Sequence, residues 1–248
     1  MRRFYVEPEI VASDRIELDG ALAHRIAKVL RMRADDEIAL FDGSGIDVHL
    51  RLDDVGDLRV RGSVIARCDG PAEPRVRVNL YQSITKGDRF EWLIEKATEL
   101  GVASVVPLIT ARAVVRPEAE GNRTERWRRI AVEAAEQCGR SAVPVIGVPQ
   151  SFDATISSAP GLRLLPYEAA GDLAPSIQSA LTTSIDELFA LGEVSIFIGP
   201  EGGFVQSEVE LAASAGAMIV TMGERVLRAE TAGLTALTLV MHAVGQLG

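Results

Sequence analysis

Cysteine is scarce in this sequence, aromatic side chains are few, and no apolar run is long enough to cross a bilayer. Each shortage excludes something. The two cysteines, Cys68 and Cys138, have no CxxC spacing, and the three histidines, His24, His49 and His242, are scattered. Zinc needs ligands at short, regular spacing, so no metal is expected. The thiols read as reduced and partly buried, as in a cytoplasmic protein. A spanning helix needs about 20 consecutive apolar residues, and none exists, so no membrane partner is expected. Two arginines open the chain without an apolar stretch behind them, which does not read as a secretory signal. GxGxxG and the lysine–hydroxyl pair of a P-loop are also missing, leaving dinucleotide and triphosphate sites without support. What remains is an ordinary globular composition over 248 residues, 47% hydrophobic and 25% charged. Such a chain has room for one large domain or two small ones with a substantial core.

Positive charge is short overall. The net charge of −9 argues at face value against a nucleic-acid partner. Its distribution softens that, because residues 150–248 hold 3 basic and 11 acidic groups and carry nearly all the excess. Within the first third, His24 to Arg33 contains Arg25, Lys28, Arg31 and Arg33 and no acid; Arg123, Arg126, Arg128 and Arg129 form a second cluster. A solvated helix face explains either cluster as well as an RNA surface does. Charge alone decides nothing.

Rhythm divides the chain. Residues 1–72 read as short strands (Arg2–Val6, Arg15–Leu18, Glu37–Phe41, Asp47–Leu52, Leu58–Ala66) with one basic helix, Gly20–Leu30, which predicts a small β-barrel. Asp69–Pro74, with two prolines and a glycine, reads as a linker. Residues 73–248 alternate strand and helix. Strands are expected at Val76–Ile84, Val102–Ile109, Pro144–Val148, Leu162–Tyr167, Val194–Ile198 and Ala217–Met222. Helices are expected at Asp88–Leu100, Thr124–Cys138, Ser151–Ser158, Pro175–Ala190, Gln206–Ala215 and Glu230–Val244. That alternation predicts an α/β domain with a parallel sheet covered by helices on both faces.

Ligands in such folds bind beyond the carboxyl ends of the strands. Two loops there are unusual. Ile198-Gly199-Pro200-Glu201-Gly202-Gly203-Phe204 follows an apolar strand, and its glycines let backbone approach a flat ligand. Glu201 would repel phosphate, so a neutral or cationic ligand fits better. The other loop runs Met222-Gly223-Glu224-Arg225-Val226-Leu227-Arg228-Ala229-Glu230-Thr231 into an apolar helix. Glu230 has a structural explanation at a helix N-terminus; Arg228 has none, which makes it a candidate functional residue.

The segment Phe197–Phe204 followed by Met222–Leu237 resembles the 16S ribosomal RNA (uracil-N3)-methyltransferase family of the SPOUT superfamily of trefoil-knotted enzymes. The likeness extends back through Gln82–Gly101 and through Arg126–Arg140 with its Glu136-Gln137-Cys138. At the N-terminus, Arg3–Val6 and His24–Arg33 resemble that family's PUA-like domain. Two departures stand out: Glu224 where the family has proline, and Ala229 where it has threonine. The resemblance implies a deep C-terminal knot, S-adenosylmethionine as cofactor, and a homodimer. It implies that the adenosine lies against Ile198, Gly199, Pro200, Glu201, Gly202, Gly203, Met222, Gly223, Val226 and Leu227, with Leu165 and Tyr167 nearby. The expected substrate is a uridine of 16S rRNA, in the small ribosomal subunit.

Uracil N3 is a poor nucleophile until its imide proton leaves. Arg228 suits stabilisation of charge developing on O2 and O4, and either Glu201 or Glu230 suits the base or its orienter. A Glu201 that merely holds its loop together is the competing structural explanation. Arg2, Arg3, Arg25, Lys28, Arg31 and Arg33 form the natural phosphate surface, and Arg112 is expected to touch RNA or cofactor. Two alternatives stay open: a knotted enzyme acting on a ribose hydroxyl or on tRNA, and a non-catalytic RNA-binding module.

Overall fold

The structure is a computed structural model that describes residues 1–113, 122–171 and 174–247. It contains two compact units, Met1–Glu73 with Ala135–Val143, and Pro74–Ala134 with Pro144–Gly248.

The first unit is built on strands β1 (Arg2–Tyr5), β2 (Arg15–Asp19), β3 (Glu37–Phe41), β4 (Ile46–Val55) and β5 (Arg59–Asp69), with helix α1 (Gly20–His24) after β2. They form one sheet in the order β1-β3-β4-β5-β2, in which only β1 and β3 run parallel. The alternation of β2 explains its place: Ile16 and Leu18 point inward while Arg15, Glu17 and Asp19 face solvent. Two register shifts, between His49 and Leu50 and between Leu52 and Asp54, interrupt the β4–β5 pairing. Bulges of this kind bend and twist a strand pair, letting a single sheet curl over its own core. That core holds Phe4, Leu18, Ile26, Leu50 and Val60, all at most 1% exposed.

The basic helix expected over Gly20–Leu30 takes a different form. After α1 the chain widens into a π turn over Arg25–Val29, and the Leu30 N–H donates to the Arg25 carbonyl at 2.9 Å. A five-residue spacing rotates the later side chains relative to an α-helix, which keeps Ile26 buried and turns Arg25, Lys28 and Val29 outward. Arg31, at φ +53°, then ends the segment.

The second unit alternates as the rhythm predicts. In chain order it contains β6 (Arg77–Ser83), α2 (Arg89–Glu99), β7 (Ser104–Ile109), α3 (Asn122–Cys138, whose last residues count with the first unit), β8 (Val145–Ile146), β9 (Gln150–Ser151) and α4 (Phe152–Ile156). There follow β10 (Leu162–Pro166), α5 (Ile177–Thr183), α6 (Ile185–Leu191), β11 (Glu193–Ile198), α7 (Gln206–Ser214), β12 (Met218–Val220) and α8 (Ala229–Ala243). Every pairing is parallel, in the order β12-β10-β11-β6-β7-β8, with β9 also on β7. Strands covered on both faces should be apolar almost throughout, and β6 is buried from Val78 to Ser83. Helix α2 buries Phe90, Leu93, Ile94 and Ala97 along one stripe and stops at Gly101, φ +90°.

The boundaries differ in several places, and the strand expected over Pro144–Val148 shortens to Val145–Ile146. The stretch expected as one helix over Pro175–Ala190 breaks at Ser184 into α5 and α6. The strand expected over Ala217–Met222 shortens to Met218–Val220, and the two-residue β9 was not anticipated. No helix among the described residues is long and apolar enough to cross a membrane.

Candidate active site

Strand β10 pairs with β11 on one side and β12 on the other, so the carboxyl ends of all three lie side by side. The loops leaving those ends enclose one cleft. Tyr167, Ile198, Gly199, Pro200, Glu201, Gly203, Met222, Gly223, Val226 and Leu227 all line it, as the sequence reading grouped them. Leu165 and Gly202 do not. Leu165 is fully buried in the core with Phe197 and Phe204, and Gly202 gives its carbonyl to Arg112 Nη1 at 2.7 Å.

Local chemistry shapes the first loop. The Gly203 N–H closes a turn onto the Pro200 carbonyl at 2.9 Å, with Gly203 at φ +66°. Phe204 is 2% exposed and anchors the turn beside Phe152, ring centroids 5.2 Å apart. Glu208, buried in the first turn of α7, accepts the Val205 N–H at 2.9 Å and the Ala111 N–H at 2.8 Å. One carboxylate therefore ties the start of α7 to the segment that carries Arg112. In the second loop Gly223, φ +103°, donates its N–H to Thr221 Oγ1 at 3.2 Å. Val226 beyond it is 79% exposed, an apolar side chain on the cleft wall with little of its own protein against it.

Both candidate carboxylates meet one guanidinium. Arg89, the first residue of α2, donates from Nη1 to Glu201 Oε1 at 2.8 Å, and its Nε lies 3.8 Å from Glu230 Oε1. The Glu201 side chain is 40% exposed, whereas that of Glu230 is 9% exposed. Oε2 of Glu230 is buried and has no partner among the described residues. Beneath them Gln82, fully buried near the end of β6, donates from Nε2 to the Ala229 carbonyl at 3.4 Å, which ties β6 to the start of α8. Arg228 is the N-cap residue of α8 and its side chain is exposed.

Sequence reasoning passed over Arg89, Glu208 and several lining residues, among them Glu168, Phe204 and Thr221. Glu168 was reachable, since it directly follows the strand that supplied Tyr167. Arg89 carried no local signal, because its partner Glu201 lies 112 residues further along the chain.

In the first unit the six cations assigned to RNA fall into two groups. Arg3 forms a two-pronged ion pair with Asp47 and donates to Ser141 Oγ at 2.8 Å. Arg25 pairs with Glu136 at 2.8 Å over the ring of Phe4, and Lys28 pairs with Asp57 at 2.8 Å. Arg2, Arg31 and Arg33 are exposed, and their side chains have no carboxylate partner among the described residues. No group of three metal-ligating side chains occurs among the described residues.

Comparison with known proteins agrees with this architecture. A family described as an RNA methyltransferase domain matches residues 72–241, and one described as an RNA methyltransferase PUA domain matches residues 18–64. Ribosomal RNA small subunit methyltransferase E of Bacillus subtilis is 30% identical over 98% of this chain and 96% of its own. The Synechocystis protein of that name is 32% identical over 95% of this chain and 75% of its own. Among solved structures, ribosomal RNA small subunit methyltransferase E from Neisseria gonorrhoeae bound to S-adenosyl methionine superposes with a TM-score of 0.82 at 30% identity, covering 98% of this chain and 97% of the other. A putative methyltransferase from Legionella pneumophila in complex with the cofactor SAM gives a TM-score of 0.82 at 30% identity, covering 97% of each chain. With a fold and a sequence that agree over nearly the whole length, this chain belongs to the ribosomal RNA small subunit methyltransferase E family of RNA methyltransferases.

Proposed function

We propose that this protein transfers a methyl group from S-adenosylmethionine to N3 of a specific uridine in 16S rRNA of the small ribosomal subunit. The observation that carries the reading is the cleft at the ends of β10, β11 and β12, lined by the two segments that resemble the family. Its chemistry suits this cofactor. Ile198, Phe204, Val226 and Leu227 offer apolar surface to a flat adenine, and Glu168 and Glu201 answer a cationic sulfonium and amine.

When bound, S-adenosylmethionine supplies an electrophilic methyl and leaves as a neutral thioether holding the electron pair of the broken carbon–sulfur bond. The chain's own residues act on the base. A carboxylate, Glu201 or Glu230, takes the imide proton, and Arg228 stabilises the charge that spreads to O2 and O4. Leu165 supports the cleft from the core, and Arg112, by holding the Gly202 carbonyl, keeps the loop in its turn. Residues 1–72 form the domain that grips RNA, with Arg2, Arg31 and Arg33 as its first phosphate contacts and Arg3, Arg25 and Lys28 contributing where RNA displaces their acid partners. Residues 73–248 form the methyltransferase domain, and the target base is extruded to reach its cleft. With the family resemblance go a deep C-terminal trefoil knot, a homodimer and a cytoplasmic setting.

The test is methyl transfer from radiolabelled S-adenosylmethionine to small ribosomal subunits from cells lacking this gene, followed by nucleoside analysis. Label in N3-methyluridine is the expected result. Label in a 2′-O-methyl nucleoside, or none on subunits, precursor rRNA or tRNA, would overturn the assignment.

A further inference from the structure

We infer that Glu201, and not Glu230, takes the imide proton, and that Arg89 is the positioning residue that holds Glu201 for the task; both statements rest on the uridine reading above. A base must be reached by its substrate. Glu201 stands in the cleft wall with a half-exposed side chain. Arg89 engages its Oε1 at 2.8 Å, and Oε2 has no protein partner among the described residues. Glu230 is a poor candidate by the same standard. Ala229 and Ala232 line the cleft while Glu230 between them does not, and its side chain is 9% exposed.

The direction of the reaction points the same way. In a uracil ring the N3–H bond and the lone pair it leaves behind occupy one line in the ring plane. The proton must therefore depart along the path by which the methyl arrives, and its acceptor must then withdraw. A half-exposed carboxylate on a Gly-Pro-Glu-Gly-Gly turn can swing aside. One packed into the first turn of α8 cannot. The proton passes to Glu201 Oε2 and on to solvent, while its bonding pair stays on the ring, shared by N3, O2 and O4.

Freedom has a drawback, because a mobile side chain is seldom in the right place. Arg89 supplies the missing constraint. It sits on α2, an element packed through Phe90, Leu93, Ile94 and Ala97, and so carries the rigidity of the core to the loop. Glu230 completes the arrangement: its buried negative charge, 3.8 Å from Arg89 Nε, holds the guanidinium at the site. A buried carboxylate with one oxygen unpartnered is costly to keep, and this role accounts for its presence beside an arginine.

Steady-state kinetics on small ribosomal subunits, with calorimetric titration of S-adenosylmethionine, test the inference on the full chain. Glu201→Gln should lower kcat about 100-fold at saturating S-adenosylmethionine, a loss separate from any weakening of cofactor binding that the titration reads. Arg89→Ala should lower kcat about 10- to 100-fold with little change in KM for the subunit, and Arg89→Lys should recover part of that loss. Arg89→Ala combined with Glu201→Gln should be no slower than Glu201→Gln alone. Removing Arg89 strands a buried charge, so Arg89→Ala/Glu230→Gln is made alongside to secure a folded protein. The inference is overturned if Glu230→Gln abolishes turnover while Glu201→Gln retains it, if the Arg89 and Glu201 losses multiply, or if Arg89→Ala alters KM alone. Failure of the uridine reading would look different, since the unaltered protein would then yield no N3-methyluridine.

Discussion

A Cβ on Gly203 would fall 2.0 Å from Oε1 of Glu168, and the residue sits at φ +66°. Alanine in that left-handed conformation costs about 1–2 kcal/mol, and its methyl would push the Glu168 carboxylate out of the cleft. Gly203→Ala is therefore expected to weaken S-adenosylmethionine binding about tenfold, equivalent to about 1.4 kcal/mol. Calorimetric titration measures it directly, and unchanged affinity would mean that Glu168 plays no part in holding the cofactor. At this scale the sequence exposed some of the site and hid the rest for a physical reason. Glu201, Arg228 and the loop glycines stand out because they break the apolar pattern where a strand gives way to a helix. Arg89 breaks nothing, since a charged residue in the first turn of an amphipathic helix is ordinary. Its meaning comes only from contacts with Glu201 and Glu230, both more than a hundred residues away.

Helices and strands were legible wherever the pattern is strong, as in α2 with its four apolar residues on one stripe and in β11, where Val194, Ile196, Phe197 and Ile198 are apolar. Periodicity is silent where backbone spacing changes locally, as in the π turn at Arg25–Val29 or the break at Ser184. Nor does it report how closely two elements approach. Gly233, in the interior of α8, illustrates the point. Exchanging a mid-helix glycine for alanine ordinarily stabilises a protein by about 1 kcal/mol. Here the new methyl would lie 2.3 Å from Gln82 Oε1 and 3.1 Å from Leu93 Cδ1. Gln82 cannot retreat easily, because it is fully buried and its amide donates to the carbonyls of Ser83 and Ala229. Gly233→Ala should thus cost about 1–3 kcal/mol as an overpacked core contact. A lowered urea midpoint at constant m-value would bear this out; a raised midpoint would show that β6 and α8 have slack between them.

For the molecule as a whole, fold class was the most legible property, because it depends on the sum of many weak signals. Alternation of strand and helix past residue 73 predicts a parallel sheet, and every strand pairing of the second unit is parallel. Strand order is another matter, for nothing local says that β10 lies between β11 and β12. Charge is a whole-molecule property too. The side chains of Arg3, Arg25 and Lys28 already pair with Asp47, Glu136 and Asp57, while those of Arg2, Arg31 and Arg33 form no ion pair among the described residues. A cation paired within its own protein gathers phosphate only by giving up its carboxylate, and so sets free less condensed sodium or potassium from RNA. In plots of log affinity for 16S rRNA against log salt, Arg2→Gln, Arg31→Gln and Arg33→Gln should each flatten the slope by about 0.7–0.9, and Lys28→Gln by clearly less. Equal flattening by all four would mean that RNA strips Lys28 from Asp57. Otherwise, a protein that looks basic along one segment will hold its RNA with only a shallow dependence on ionic strength, and will keep its grip in salt that dislodges more openly charged binders.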